Sequence, residues 1–323
     1  PALQLLPSDV AGGINPVGWS IHGDPVAAAR ETADFGLSCL ELRPRDHDFS
    51  RPALREEIKR LRDRGPLYLS YHLPNLAWDR QQAGMKGEDA VRIGVDLALE
   101  LGVDSLTMHT PRARAAEMLG TPEELGTATT TELHAAFLDL YVRLFGAAVE
   151  SGVRLAVENV HNPANTPADS PGRDFATRID EYGQWIAALR RALPDAGAAN
   201  VGALFDVGHA RNNGGELDNL QPLGDWYAAI GGAILGYHIH QVGRHPDTGK
   251  PVNHREITGL YGKRISFVGF LWAWSARQIA RAPLFVEVRQ PKERRRTAAL
   301  LKDIFDRAAE ITQGLDLPAA PAD

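Results

Sequence analysis

The stretch GYHIHQVGRHP, from Gly236 to Pro246, holds His238, His240 and His245, three of the eleven histidines in the chain. Imidazole is both a metal ligand and a proton carrier near neutral pH. The cluster therefore matters only if other reactive side chains converge on it. Three carboxylates qualify by position: Glu158 near the end of VRLAVEN, Asp206 near the end of VGALFDV, and Glu287 in LFVEVR. Each ends a short, β-branched apolar run. With one imidazole from the 238/240 pair they form an oxygen-rich donor set. Such a set favours Mn²⁺ or Mg²⁺ and also accommodates Co²⁺ or Zn²⁺. A buried carboxylate needs a counter-charge, and a cation supplies one. Taken singly, each residue has a plainer reading. His238 is a candidate satisfied core histidine, Glu287 a salt-bridge partner for Arg154, and Asp206 a cap for the following helix. Four such groups at equivalent strand ends argue for a site.

The elements that must position them form a repeating pattern. Strand-like runs are INPVGWSI (14–21), SCLELRP (38–44), LYLSYHL (67–73), DSLTMHT (104–110), VRLAVEN (153–159), VGALFDV (201–207), ILGYHIHQ (234–241) and LFVEVR (284–289). The first has the weakest signal. Amphipathic segments lie between them, among them PVAAARETADFG, EDAVRIGVDLALELG, TELHAAFLDLYVRLFGAAVESG and RIDEYGQWIAALRRAL. Several end in glycine before the next strand, a helix stop signal. Eight strands alternating with helices predict a (β/α)8 barrel, an α/β fold with a parallel sheet. Alternate residues of a strand face opposite ways. Leu40, Leu42, Leu106, Met108, Leu155, Val157 and Phe205 would pack under the helices. Glu41, Arg43, Thr107, His109, Glu158 and Asp206 would face the barrel axis. The charged members lie toward the C-terminal rim, where barrel enzymes keep their active sites. His238 and His240 share the inward parity, with His240 nearer the rim. The loops at 111–129, 160–177 and 242–265 are long and rich in Pro, Gly, Asn and charge, as binding loops are.

The chain has 323 residues, 44% of them hydrophobic, and a net charge of −6. It is expected to fold as one domain over 1–323, with a core of about 13–311 and a frayed tail, LPAAPAD. The negative charge argues against a nucleic-acid partner, which calls for a basic face. One cysteine, Cys39, excludes an internal disulfide framework and a cysteine zinc cage. No apolar run reaches the ~18 residues of a membrane span. PALQLLPSDVAGG lacks the features of a signal peptide. A cytoplasmic protein is the expectation.

In their order, FGLSCLELRP, LSYHLP, LGVDSLTMHT, LAVENVHN, LFDVGHA, GYHIHQVGRHPDTGKPVNH and FVEVRQ resemble the xylose isomerase-like barrel superfamily, which contains sugar isomerases and epimerases and also endonuclease IV. The resemblance spans about Gly13 to Ile311. It implies one divalent ion held by Glu158, Asp206, His240 and Glu287. The choice of His240 over His238 rests on hydroxypyruvate isomerases, whose ligand on this strand is a glutamine two residues after a histidine. Their following loop resembles GRHPDTGK. Lys250 stands where those enzymes often carry Glu, which leaves the substrate unassigned.

The implied chemistry is isomerisation or epimerisation of a small sugar-like carbonyl compound. A metal-bound enediolate would form as a neighbouring C–H proton leaves, with Glu158 and Glu287 taking and returning it. His72, His109, His209 and His254 would contact substrate. Arg43 and Arg244 would hold a carboxylate or phosphate, and Trp78 would wall a sugar ring. Homo-oligomerisation is common among such relatives, and the sequence carries no interface signature. A multi-zinc endonuclease is the rival. His72, His109, His209 and His254 all suit it, but Val252 stands where that enzyme needs Asp. An inosose-type dehydratase would share the first proton abstraction.

Overall fold

The computed structural model describes residues 14–46, 48–120, 131–161, 166–167, 170–211, 221–249, 251–261 and 264–313. The PALQLLPSDVAGG stretch, Lys250 and the LPAAPAD tail lie outside the described residues.

Eight parallel strands close into a barrel. They are β1 (Val17–Gly23), β2 (Cys39–Pro44), β3 (Tyr68–His72), β6 (Ser105–His109), β7 (Arg154–Glu158), β8 (Val201–Asp206), β9 (Ile234–Ile239) and β12 (Leu284–Val286). Closure comes where Val17, Gly18 and Trp19 of β1 pair with Leu284, Phe285 and Val286 of β12. All eight strand runs of the sequence are present. The first begins three residues later than expected, and the last regular strand stops at Val286. The ladder still extends past that stop, since Glu287 N–H donates to Ile239 O at 3.1 Å.

Two short hairpins decorate the rim: β4 (Ala77–Asp79) with β5 (Gly84–Lys86), and β10 (Gln241–Arg244) with β11 (Pro251–Arg255). The second lies almost wholly within the long 242–265 stretch that the sequence suggested was a binding loop. Its Gly-containing turn residues hid two strands too short to show a period.

Helices α1 (Pro25–Phe35), α2 (Arg51–Arg64), α3 (Glu88–Leu101), α4 (Ala115–Leu119), α5 (Glu132–Glu150), α6 (Ile179–Ala192), α7 (Asp195–Ala198), α8 (Val207–Ala210), α9 (Leu223–Ile230), α10 (Phe267–Ser275) and α11 (Pro291–Gln313) surround the barrel. Their starts follow side-chain capping. Asp24 accepts from Val26 N, Ser50 from Ala53 N, Thr131 from His134 N and Ser266 from Gly269 N. Gly36 and Gly102 end α1 and α3 in the left-handed conformation, as the sequence indicated.

Strand alternation sorts the core. Leu40, Leu42, Leu106, Met108, Leu155, Val157 and Phe205 are fully buried under the helices, each worth about 1.5–3 kcal/mol of burial. Two helices also bolt down strand ends. Tyr141 of α5 donates its hydroxyl to His109 O at 2.5 Å, and Tyr182 of α6 donates to Val157 O at 2.6 Å. These bonds fix the backbone beside the inward-facing His109 and Glu158.

Candidate metal centre and its cavity

Glu158, at the end of β7, is fully buried and ringed by imidazoles. Its Oε2 lies 2.9 Å from His72 Nε2 and 3.0 Å from His109 Nε2. Its Oε1 lies 3.0 Å from His238 Nδ1 and 3.4 Å from His209 Nδ1. Burial alone would raise this carboxyl, but His109 and His238 outweigh it and hold it well below the usual carboxylate range.

Asp206 ends β8 and caps α8, accepting His209 N–H at 2.7 Å. The capping role and the site role therefore coexist in one residue. Asn159 clasps the same strand end. It accepts Asp206 N–H at 2.7 Å and donates to Asp206 O at 3.0 Å. Asp206 Oδ1 lies 3.0 Å from His240 Nε2.

Glu287, just past β12, pairs with Arg43 through Oε1 rather than with Arg154. Its Oε2 comes within 3.0 Å of His238 Nδ1, yet it makes no hydrogen bond. It opens on a cavity of about 420 Å³ lined by Ser20, His22, Arg43, His254 and Arg289. Ser20 Oγ, also buried, has no hydrogen-bond partner either.

His238 and His240 are both fully buried, but they face different partners. His238 Nδ1 meets Glu158 Oε1 and Glu287 Oε2 at 3.0 Å each and Asp206 Oδ2 at 3.8 Å. Burial would lower this histidine, but Glu158, Glu41 and Glu287 raise it well above the ordinary value. His240 Nδ1 accepts the backbone N–H of His254 at 3.0 Å. Its Nε2 therefore carries the proton and faces Asp206. His254 reaches this position with φ 59, an uncommon left-handed backbone for a non-glycine residue.

Three groups of side chains bring their ligand atoms within 4.8 Å of one another: Glu158, Asp206, His238 and Glu287; His72, His109 and Glu158; and His209, His240 and His254. The three expected carboxylates meet, and the imidazole in their group is His238. His240 joins the third group. Burial holds His109 and His254 each at about 4, so both are neutral at pH 7, the state in which imidazole ligates.

Arg43 lies at the cavity. Arg244 does not: it is exposed on β10 and donates to Gly249 O at 2.9 Å. His245 is exposed as well. Trp78 sits half-buried on β4, packed against the core. Sequence reasoning missed three residues: Glu41, His22 and His161. The ring of His161 lies 4.7 Å from that of His209. The inward parity of Glu41 was its one visible signal.

The loops on the β6–β7 side are knit together. Arg114 bridges Asp174, and Ala77 bridges Arg112. Arg173 forms a buried ion pair with Glu181 of α6. Glu158 has no exposed surface, while Glu287 lines the cavity.

Comparison with known proteins fits this architecture. A family model described as Xylose isomerase-like TIM barrel matches residues 29–315. The TTHB071 protein from Thermus thermophilus, solved after soaking with zinc chloride, is 25% identical. The match covers 90% of this chain and 98% of that one, at TM-score 0.51. Endonuclease IV from the same organism is 20% identical over 92% and 99% of the two chains, at TM-score 0.56. The E. coli 3-keto-D-glucoside 4-epimerase YcjR is 14% identical over 89% and 99%, also at 0.56. The last two likenesses are of fold. No curated protein matches the chain. Among the described residues no helix is long and apolar enough to cross a membrane. With a closed parallel barrel and a family match over most of its length, the chain belongs to the xylose isomerase-like TIM barrel family.

Proposed function

We propose that the chain is a divalent-metal-dependent isomerase or epimerase of a small polyhydroxylated carbonyl compound. One observation carries this reading: Glu158, Asp206, His238 and Glu287 converge at the rim beside a cavity of about 420 Å³. The donor set fits a divalent ion. Three carboxylates are gathered in a buried place, Glu158 and Asp206 with no exposed surface. Mn²⁺ or Mg²⁺ suits its oxygen-rich character, with Co²⁺ or Zn²⁺ also accommodated. When bound, such an ion polarises a carbonyl and stabilises negative charge developing on oxygen.

The chain's own residues divide the remaining work. Glu287 faces the cavity, and its Oε2 is the group placed to take a proton from a carbon beside the carbonyl and to return it to the neighbouring carbon, as an isomerisation requires. An epimerisation would need a second proton donor on the opposite face of the substrate. Arg43 holds the other oxygen of Glu287 and fixes its orientation. Ser20 Oγ and His254 offer hydrogen bonds to substrate hydroxyls from the cavity wall. Glu158, enclosed by four imidazoles, acts as a charge-holding ligand rather than a second proton carrier.

A second reading is favoured by the three ligand groups, two of which share Glu158. A carboxylate common to two groups is the arrangement of multi-metal hydrolases, and the TTHB071 relative was soaked with zinc chloride. Val252 and the net charge of −6 weigh against a DNA substrate.

Elemental mass spectrometry of tag-free protein, followed by paired assays, separates the two readings. One ion per chain and turnover of ketoses or inosose-like compounds are expected. Two or three ions per chain with chelator-sensitive nicking of abasic DNA would overturn the isomerase reading.

A further inference from the structure

Glu41 is a buried carboxylate that the proton chemistry above does not use. It lies on β2, two residues before Arg43, facing the axis one layer beneath the rim, with no surface exposed. Its Oε2 accepts from Thr107 Oγ1 at 2.6 Å and lies 3.3 Å from Ser70 Oγ. Its Oε1 lies 2.6 Å from His238 Nε2. It belongs to none of the three ligand groups. A carboxylate buried this deeply persists only where its charge is met, and the neighbour that meets it is a histidine of the metal centre.

The ring of His238 has two nitrogens, and in the neutral state one of them carries the proton. An ionised carboxylate only accepts. Glu41 already receives a hydroxyl hydrogen at its other oxygen, so the nitrogen facing it must be the protonated one. Nδ1, which faces Glu158 and Glu287 at 3.0 Å each, is then the nitrogen left to exchange its proton for a divalent ion gathered by Glu158, Asp206 and Glu287. His240 has the same tautomer, but there the Nδ1 lone pair is taken by a backbone N–H and the protonated Nε2 is the nitrogen that faces Asp206. We propose that Glu41 is a positioning residue: by accepting the Nε2–H of His238, it holds the ring in the tautomer whose Nδ1 can ligate a divalent ion. It thereby sets the affinity of the four-residue centre. This rests on the metal reading above. Outer partners of ligating histidines act in this way in general, and their loss typically weakens metal binding about 10–100-fold.

The test uses full-length, metal-free wild type, Glu41→Gln and Glu41→Ala, titrated calorimetrically with MnCl₂ and with ZnCl₂. Circular dichroism checks their fold. Long-range ¹H–¹⁵N spectra of histidine-labelled protein read the tautomer, with the His238 signals identified by their absence from His238→Gln. Wild type is expected to take up the ion and to show a protonated Nε2 on His238. Glu41→Ala is expected to bind about 10–100-fold more weakly. Glu41→Gln, whose amide oxygen still accepts, is expected to fall between them. Should Glu41→Ala fail to fold, Glu41→Gln decides: wild-type affinity without the protonated Nε2, or weakened affinity with it intact, overturns the proposal. Equal affinity in all three folded proteins overturns it too. No uptake by wild type would overturn the metal reading and this proposal with it. Undiminished uptake in the variants would overturn this proposal alone.

Discussion

Glu158 and Glu287 are the same residue type at equivalent places on two strands of one barrel, yet their surroundings differ. Glu158 has no exposed surface and is met by imidazoles at both oxygens, under loops stitched to one another. Glu287 is 13% exposed, keeps an oxygen without a hydrogen bond, and looks into a cavity. The resemblance implied that they act as an acid–base pair. Under the function proposed above, their environments instead divide the work between a carboxylate that holds charge and one that moves a proton, the usual way a site divides labour between like groups.

The sharpest way to break this comparison is to remove one charge at a time. Glu158→Gln should abolish metal retention and turnover together, measured by elemental analysis and product formation. Glu287→Gln should keep measurable metal while turnover falls about 10²–10⁴-fold, the scale of general acid–base catalysis. Equal metal loss in both variants would erase the distinction.

The two sides should also differ in stability. Glu181→Ala strands the buried Arg173 guanidinium on the closed side and should cost about 3–5 kcal/mol in denaturant unfolding. Gly208→Ala comes next. A Cβ there would collide with the imidazole ring of His240, and overpacking of this kind costs about 1–3 kcal/mol. Its thermal midpoint should drop, and the third ligand group should be disturbed before the first. Arg244→Ala should be the mildest. The side chain is exposed and away from the cavity, so its stability should stay within about 0.5 kcal/mol of wild type, with unchanged metal uptake.

The sequence made much of this architecture legible, because barrel strands alternate and barrel chemistry sits at strand ends. Glu158, Asp206 and Glu287 were visible as inward carboxylates closing apolar runs. The choice between His238 and His240 was not. Both have inward parity, and one pleat repeat separates them, about 6.6 Å along the chain. What distinguishes them is tertiary: β9 stops at Ile239, and the returning β11 brings a backbone N–H to His240. Glu41 was equally hidden, since its meaning depends on His238 across the barrel. Arg244 is exposed and off the cavity wall because it sits on a short hairpin that the periodic pattern did not show.

The pairing of β1 with β12 has a consequence for the order of assembly. Val17 meets Leu284 only when the ends of the described barrel join, and contacts so distant in sequence form late and slowly. Glu287 reaches the other ligands through the opposite edge of β12, where Phe285 pairs with His238 of β9 and Glu287 N–H donates to Ile239 O. A partly folded chain, or one still emerging from the ribosome, therefore presents Glu158, Asp206 and His238 without their fourth partner. Ion capture is in this way tied to the arrival of the last strand, and a bound ion would report that β12 has docked on β9.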